Sequence, residues 1–393
     1  MSNNSVARST AEPPVAPLRR LLLYFLQLGT FGFGGPIALT GYMQRDLVER
    51  RGWFSEQDYK EGLSLAQLAP GPLAAQLAIY LGWVRAGVMG ATLVGVAFVA
   101  PSLVMVLALS AAYVRFGGLP WMQGVFYGVG AAVIAIIAQS ARKLTRLTLG
   151  RDRLLWLIFG CSALITAWTE SEIFWLFVLS GLGTLFVRKY FLPSRSLPVI
   201  VLVPGAMGHW MMELGSTPLL PSLFAYFAEA SMLVFGSGLA IVPFLHQGVV
   251  QQFHWLTERQ FLDAVAVSMI TPGPVVITVA FIGYIVAGVS GSLVAALGMF
   301  LPTYLVVVLA APHYRRFANN LRVRAFVDGV TAAATGAITG AVFVLGRRAL
   351  VDVPTVLIAV AAFAINGMTK RIPDPILIVA AGMVGLLLSI AGA

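Results

Sequence analysis

The chain has 393 residues, of which 59% are hydrophobic and only 11% are charged, whereas soluble domains are about a quarter charged. A soluble fold cannot bury that much apolar surface, so the composition excludes a soluble protein and indicates an integral membrane protein. The net charge of +10 does not indicate nucleic-acid binding, because the basic residues lie in short segments between apolar runs, as the positive-inside rule requires.

Apolar segments recur from residue 18 onward and predict an all-α, polytopic bundle of membrane helices. Residues 1–17 are polar and are expected to form a disordered tail. The first apolar segment lacks a small-residue cleavage site, so we expect a retained helix rather than a signal peptide. The first half contains six apolar segments, at about 18–40, 63–84, 86–112, 120–141, 153–168 and 171–187, and a second series begins near residue 222.

The two series are copies of one unit. At an offset of 202 residues the sequence aligns with itself without a gap, pairing Trp53 with Trp255, Glu56 with Glu258, and Pro70-Gly71-Pro72 with Pro272-Gly273-Pro274. Farther along, an offset of 201 aligns Pro101 with Pro302. This register indicates an internal duplication. We predict one transporter repeat at residues 18–188, a linker at 189–221 and a second repeat at 222–393.

The basic residues favour opposite orientations of the two six-helix repeats. In the first half they concentrate in the loop at 142–153, whereas in the second half they concentrate one loop earlier, at 315–324. Because basic loops stay in the cytoplasm, this change of place predicts antiparallel, or inverted, repeats. Two membrane topologies are compatible with inverted repeats. One has about 12–13 spans, a cytoplasmic N terminus and an extra span at 197–214, and the other has a re-entrant segment in each half and an external N terminus.

Each repeat carries two breaks in its apolar segments. The first break is Gly-rich and comprises Gly34-Gly35-Pro36 in one half and Gly236-Ser237-Gly238 in the other. No strand precedes these glycines, so they predict an exposed stretch of helix backbone rather than a dinucleotide-binding fingerprint. The second break is Pro-Gly-Pro, in which the first proline ends a helix and the second is suited to begin one. We expect broken helices at both places.

The Pro-Gly-Pro breaks predict an anion-binding site. The N–H groups of Leu73 to Ala75 and of Val275 to Ile277 would point into the breaks, at the positive ends of new helices. A single break would more simply be a packing kink, but two at equivalent positions favour a site. Polar side chains flank the breaks, and the simpler role of each is interhelical hydrogen bonding: Gln67, Gln76, Ser268, Thr271 and Thr278.

Few charged residues lie within the apolar segments. Glu229 is a candidate proton-carrying or gating group, and an interfacial glutamate at a helix start is the alternative. Asp328 is a second coupling candidate, although an ion pair with Arg324, one turn earlier, is the favoured interpretation. Glu61 and Asp263 occupy equivalent positions, and we expect both to be solvated residues at helix starts.

Motifs for enzymes, metals and ATP-driven pumping are missing from the sequence. There is no Walker A sequence and no His-Glu-x-x-His, the four histidines lack metal-ligand spacing, and Cys161 is the only cysteine. We therefore expect no catalytic residue, no metal and no cofactor. A membrane enzyme acting on lipid would need acid, base or metal groups at one interface, which the sparse carboxylates disfavour. A passive anion channel stays open as an alternative.

The assembled motifs resemble the chromate ion transporter family in its long, two-domain form. They are Phe31 to Pro36, Trp53 with Ser55-Glu56, Ala69 to Pro72 with Gln76, and a diverged second copy. The resemblance covers the chain from residue 18 onward. It implies a multi-pass protein of the bacterial inner membrane that exports chromate, confers chromate resistance and couples to a proton or anion gradient.

The resemblance leaves the substrate open between two anions, because chromate and sulfate are similar tetrahedral dianions. Sulfate uptake is therefore the alternative function. Membrane lipid is the expected surround, and a homodimer is also left open. The second copy has Ser237-Gly238 where the first has Gly35-Pro36, so the two halves need not contact the substrate equally.

Overall fold

The computed structural model describes residues 17–33, 35–116, 120–169, 174–189, 218–234, 241–313, 321–368 and 372–391. Every regular element within these ranges is helical, as predicted. The tail at 1–16, the segment at 197–214 and the residues Gly34, Gly236, Ser237 and Gly238 lie outside the described residues.

The described helices of the first half are α1 (Leu18–Phe31), α2 (Gly35–Met43), α3 (Glu56–Leu68), α4 (Leu73–Phe116), α5 (Pro120–Leu149), α6 (Arg153–Thr169) and α7 (Phe174–Lys189). Those of the second half are α8 (Leu219–Leu233), α9 (Val242–His246), α10 (Glu258–Ile270), α11 (Thr278–Ala310), α12 (Leu321–Ala349), α13 (Val353–Met368) and α14 (Asp374–Ala391). α2 and α9 continue as π-helical turns, Gln44–Arg50 and Gln247–Gln252, and a 3₁₀ turn, Val275–Ile277, precedes α11.

Among the described helices, α4, α5, α11 and α12 are long and apolar enough to cross a membrane. The helices α6, α7, α8, α13 and α14 are apolar but shorter. Large hydrophobic side chains are exposed along α6, α13 and α14, as expected for helices that face lipid.

α4 and α11 are helical hairpins. The 44 residues of α4 would measure about 66 Å if straight, more than twice the thickness of a bilayer core. The chain instead reverses at Gly87 (φ 57°) and, in α11, at the equivalent Gly288 (φ 62°). Beside the first turn, Gly82 and Gly90 lie so close that a Cβ on either would overlap the carbonyl oxygen of the other. We name the short arms α4a (73–85) and α11a (278–286), and the long arms α4b (88–116) and α11b (289–310).

α3 and α4a form a helical hairpin. A Cβ added to Gly62 of α3 would overlap the ring of Tyr80 and lie 3.0 Å from Leu77, so the two helices pack side by side in opposite directions. α3 has 13 residues, about 20 Å, which is too short to cross the bilayer core. The segment predicted at 63–84 is therefore not one continuous span, because the Pro-Gly-Pro break reverses the chain.

The helices that precede the breaks begin with side-chain caps. The Ser55 hydroxyl accepts from the N–H of Asp58 at 3.0 Å and begins α3. Thr257 and Gln260 form a reciprocal capping box at the start of α10. Such caps satisfy N–H groups that a helix start would otherwise leave open.

The two halves are interleaved. α1 packs against α4, and α8 packs against α11, within their own halves. In contrast, α5 packs against α13 and α14 of the second half, and α12 packs against α6 and α7 of the first half. α4 and α11 contact each other between the halves. This packing brings each Pro-Gly-Pro break close to the half that did not supply it.

Candidate functional site

Each Pro-Gly-Pro break contacts a helix end of the other half. The Gly71 N–H donates to the carbonyl oxygen of Val234, which follows α8, at 2.7 Å. The Gly273 N–H donates to the carbonyl oxygen of Gly32, which follows α1, at 2.8 Å. Gly71 and Gly273 are repeat equivalents, as are Gly32 and Val234. The contact is therefore reciprocal, and each partner is the helix end that leads into a Gly-rich break.

Two buried hydroxyl groups in the long arms support the breaks. Ser102 of α4b donates to the carbonyl oxygen of Pro272 at 2.8 Å. Its equivalent, Thr303 of α11b, lies 2.9 Å from the hydroxyl of Ser231 and packs against Gly71. Both hydroxyl residues are completely buried. Sequence reasoning missed them, although each directly follows a proline that the duplication aligns.

The central residue of each break must be glycine. Gly71 has a φ of 132° and Gly273 a φ of 104°, values that other residues rarely adopt. A Cβ on Gly71 would lie 2.8 Å from both the Gln76 amide nitrogen and the Thr303 hydroxyl oxygen. A Cβ on Gly273 would overlap the hydroxyl oxygen of Ser102. Both breaks are therefore closely packed in the described conformation.

The start of α4a holds buried N–H groups without acceptors. The first backbone hydrogen bond of this helix runs from the Gln76 N–H to the Pro72 carbonyl oxygen at 3.0 Å. The three preceding N–H groups, on Leu73, Ala74 and Ala75, donate to no described residue, and these residues are only 5%, 2% and 1% exposed. Buried N–H groups are rarely left unpaired, and three at the positive end of a helix suit an anion.

The second half repeats this arrangement with one donor fewer. The Ile277 N–H donates to the Pro274 carbonyl oxygen at 3.0 Å, so the prediction that it is free is wrong. The cause is the 3₁₀ turn that precedes α11, because a 3₁₀ bond engages the third N–H where an α-helix engages the fourth. Val275 and Val276 keep N–H groups that donate to no residue in the described ranges.

Gln76 holds the first break in shape. It is completely buried, and its amide nitrogen donates to the carbonyl oxygens of Pro70 at 2.7 Å and Ala69 at 3.2 Å. These bonds join the end of α3 to the first turn of α4a. The side-chain oxygen of Gln76 has no hydrogen-bond partner in the described part of the chain.

The other predicted polar residues are oriented differently. Gln67 is exposed on α3. The hydroxyls of Ser268, Thr271 and Thr278 donate within 2.8 Å to backbone carbonyl oxygens of their own segments, those of Val265, Val267 and Val275. Their protons are therefore engaged in this conformation, as in the simpler interpretation, and their assignment to substrate stays a prediction.

At the first Gly-rich break, Gly35 and Pro36 begin α2 and are partly exposed. Gly35 has a φ of 72° and open space around it, so it serves the backbone turn rather than close packing.

The two coupling candidates differ in their surroundings. Glu229 lies partly buried in α8, five residues before Val234, and forms no hydrogen bond or ion pair with a described residue. Asp328 pairs with Arg188 of α7 at 2.6 Å, and Arg188 also binds Asp152 at 2.6 Å. The prediction that Asp328 pairs with Arg324 is wrong, because α12 packs against α7 and brings Asp328 to Arg188.

Asp152 lies in the loop between α5 and α6, where the hydrogen bond from Arg188 holds the pKa of this carboxyl below its ordinary value. The Asp152–Arg188–Asp328 network links the α5–α6 loop, α7 and α12. It therefore ties the first half to the second through charge, away from the residues of the breaks.

Asp263 is not the solvated residue expected from the sequence. It lies in the middle of α10 and is only 3% exposed. The phenol of Tyr113, at the far end of α4b, donates to its carboxylate at 2.8 Å. Its equivalent, Glu61, is partly exposed on α3, where Gln57 donates to it at 3.1 Å. The packing of α10 against α5 and α14 buries Asp263, and no local pattern signals it.

Comparison with known proteins gives consistent matches over both halves. The family model for chromate transporters matches residues 19–185 and again residues 221–386. The chain is 55% identical over 386 residues to a chromate transport protein of Cupriavidus metallidurans, covering 98% of this chain and 96% of the relative. It is 53% identical to a probable chromate transport protein of Synechococcus elongatus, covering 95% and 96%.

A more distant relative, a chromate transport protein of Pseudomonas aeruginosa, is 28% identical over 402 residues, covering 97% of this chain and 95% of the relative. No solved structure matches the chain significantly.

Proposed function

Since this chain belongs to the chromate transporter family, we propose that it is a secondary active transporter that exports chromate across the bacterial inner membrane by alternating access. The observation that carries the proposal is the set of buried N–H groups at the start of α4a for which the described residues supply no acceptor. Unpaired donors are unfavourable inside a membrane, so an acceptor-rich ligand would stabilise them. Chromate offers a tetrahedron of acceptor oxygens and two negative charges.

The reciprocal contacts between the halves support alternating access. The bond from Gly71 to Val234 and the bond from Gly273 to Gly32 each close one break. The two bonds involve different residues, so one can open while the other stays closed. An export cycle would load chromate while one break is open to the cytoplasm and release it after the other has opened.

Contacts between equivalent helices support inverted repeats. Thr92, near the start of α4b, hydrogen-bonds at 2.8 Å to Tyr304, which lies beyond the middle of α11b. The early part of α4b shares an apolar cluster with the late part of α11b, and the late part of α4b shares one with the early part of α11b. The two long arms therefore run antiparallel, as equivalent spans of inverted repeats must.

α5 and α12, the next pair of equivalent helices, support the same arrangement. Tyr127 near the start of α5 donates to Asp352, which follows the end of α12. Its equivalent, Asp328 near the start of α12, contacts Arg188 and through it Asp152, which follows the end of α5. The start of each helix thus lies beside the end of the other. In parallel repeats the two starts would lie on the same side.

The basic residues then orient the protein. In this arrangement the α4a–α4b turn, the α5–α6 loop and the end of α7 lie on one side, together with the start of α12, which carries Arg322 and Arg324. Of the basic residues from Arg19 to Arg188, Arg115 is the one that lies on the opposite side. By the positive-inside rule, we propose that the richer side, and with it the start of α1, faces the cytoplasm.

The decisive experiment compares two glutamines in everted membrane vesicles. Gln76→Leu removes the hydrogen bonds that shape the break, and we expect a roughly tenfold loss of chromate uptake into the vesicles. Gln139 in α5 also has a buried side-chain oxygen that accepts no hydrogen bond from the described residues, but it lies outside the breaks, so Gln139→Leu is the matched control. Equal losses in the two variants, or a fully active Gln76→Leu, would contradict the site.

A second pair of variants tests the breaks themselves. Pro72→Ala and Pro274→Ala should impair chromate flux, because alanine lacks the fixed φ with which each proline prepares the start of the following helix. Pro354→Ala changes a proline in the first turn of α13 and should retain flux. Labelled sulfate in the same vesicles separates sulfate uptake from chromate export. Flux that persists after the proton gradient is dissipated and follows the anion gradient alone would indicate a channel.

A further inference from the structure

Asp263 is a buried carboxylate that no cation neutralises. It is 3% exposed, and it forms no salt bridge within the described ranges. Its hydrogen-bond donor is the Tyr113 hydroxyl at 2.8 Å, which is a neutral group. A carboxylate buried without a cation is unfavourable in its charged form, so such residues inside membrane proteins generally bind a proton or serve a transport step.

The surroundings of Asp263 keep other charges away from it. Arg259, one turn earlier on α10, acts on it only at longer range and donates instead to the Gln123 carbonyl oxygen at 3.0 Å. His246 and Arg348 engage Glu258 at the start of the helix. No titratable group from α5, α11 or α14 in the described ranges acts on Asp263.

Tyr113 is itself held in a fixed position. Its ring packs edge-on against Phe126 of α5 at 5.4 Å and against Phe281 of α11a at 5.1 Å. The hydrogen bond therefore joins a fixed residue of the first half to a helix of the second half. Movement of α10 relative to α4b must break this bond and change the access of water to Asp263.

α10 also connects Asp263 to the proposed substrate site. Eight residues, about 12 Å of helix, separate Asp263 from the break at Thr271 to Pro274. Because helices move as rigid elements, opening the second break displaces Asp263 as well. The sequence places a carboxylate and a tyrosine at the equivalent positions of the other copy, Glu61 and Tyr314, of which Tyr314 lies outside the described residues.

We propose that Asp263 is the proton-binding residue that couples chromate movement to the proton gradient. The inference rests on the proposed function. When α10 opens toward the outside, the carboxylate takes up one proton, and when the break faces the cytoplasm, the same proton leaves to water. Net transfer is one proton inward for each cycle that exports chromate. Tyr113 is a positioning residue that holds the buried carboxylate between these two steps.

The test uses purified full-length protein in proteoliposomes and two measurements. One is chromate movement driven by an imposed pH gradient. The other is exchange of labelled for unlabelled chromate at equal pH, which needs no net proton transfer. We expect Asp263→Asn to lose at least tenfold in gradient-driven movement while exchange stays within about threefold of wild type. Asp263→Glu should retain both.

Three further variants sharpen the test. Tyr113→Phe removes the donor that stabilises the carboxylate, so protonation becomes easier and the pH profile of driven transport should shift upward. Glu229→Gln and Glu61→Gln, at the other candidate carboxylates, should leave gradient coupling unchanged. The inference is overturned if Asp263→Asn keeps gradient-driven movement, if it loses exchange to the same extent, or if Glu229→Gln alone uncouples transport.

The failure of this inference differs from the failure of the proposed function. Wild-type protein that moves chromate in neither measurement would overturn the proposed function, and this inference with it. Wild-type exchange together with unaltered coupling in Asp263→Asn would overturn only the role of Asp263. Asp263→Glu serves as the folding control. If this variant is monodisperse and correctly inserted and keeps both activities, position 263 tolerates substitution without misfolding.

Discussion

Gly273→Ala tests whether close packing holds the second break. The new methyl group would overlap the Ser102 hydroxyl, which donates to the Pro272 carbonyl oxygen at 2.8 Å. It would also stand at a φ of 104°, where residues with a side chain are strained. The variant therefore combines a backbone penalty, a steric clash and a displaced hydrogen bond at one position.

The expected magnitude follows from these three effects. A strained backbone conformation costs about 1–3 kcal/mol, and overpacking a closely packed site costs about 1–3 kcal/mol. Displacing Ser102 forfeits a hydrogen bond worth about 0.5–1.5 kcal/mol. We expect a loss of about 3–6 kcal/mol in the free energy of unfolding, together with loss of chromate transport.

Two other glycines separate the effects. Gly288 has a φ of 62° but open space around it, so Gly288→Ala should lose only the backbone penalty of about 1–3 kcal/mol. Gly130 in α5 has open space and an ordinary helical φ, so Gly130→Ala should be neutral or stabilising by about 0.5–1 kcal/mol. Adding Ser102→Ala to Gly273→Ala should remove the steric clash and so recover that share of the lost free energy of unfolding. The share due to the strained backbone should remain.

Denaturation of the detergent-solubilised variants, followed by tryptophan fluorescence, gives the ranking. Equal destabilisation by Gly273→Ala and Gly288→Ala would refute the close approach of Ser102 to the break. Failure of Ser102→Ala to improve Gly273→Ala would refute it as well. Loss of transport in Gly273→Ala without loss of stability would mean that the break acts through motion rather than packing.

The remaining predictions concern the charge network and the orientation of the repeats. Arg188→Gln should cost about 1 kcal/mol at neutral pH, because Arg188 is partly exposed. The hydrogen bond from Arg188 lowers the folded-state pKa of Asp152. The stabilisation that this pair gives the folded state is therefore fully present above the ordinary carboxyl pKa, and it is lost as the pH falls through the lowered folded-state pKa. The difference between wild type and Arg188→Gln in thermal unfolding should therefore shrink below about pH 4, and a constant difference would contradict the pairing. In a background without Cys161, Met89→Cys and Ser290→Cys place thiols at equivalent turns, and inverted repeats predict labelling from the cytoplasm for the first and from outside for the second. Labelling of both from one side would rule out inversion.

Local chemistry made the breaks predictable. Proline cannot donate a backbone hydrogen bond, and glycine adopts positive φ, so Pro70 to Pro72 and Pro272 to Pro274 must interrupt a helix in any fold. The N–H groups after Pro72, for which the described residues supply no acceptor, follow from the same reasoning. After Pro274 the sequence predicted three free N–H groups, but the N–H of Ile277 forms a hydrogen bond. Whether a helix begins with a 3₁₀ turn or an α turn depends on packing, which the local sequence does not determine.

Long-range partners could not be predicted in this way. Ser102 and Pro272 are 170 residues apart, Tyr113 and Asp263 are 150 residues apart, and Arg188 and Asp328 are 140 residues apart. Each pair joins one half of the chain to the other. Sequence reasoning looked for partners within one helix turn, which is why it paired Asp328 with Arg324 and expected Asp263 to be solvated.

The amino-acid sequence by itself determined that this protein resides in a membrane, that it consists of two copies of one unit, and that each copy contains a Pro-Gly-Pro break. These properties depend on composition and backbone stereochemistry, which act locally. Only the tertiary structure decided that each break packs against the other half and reverses its chain into a hairpin. Those outcomes depend on interleaved packing, which also buries Asp263 and sets which carboxylates meet a cation and which do not.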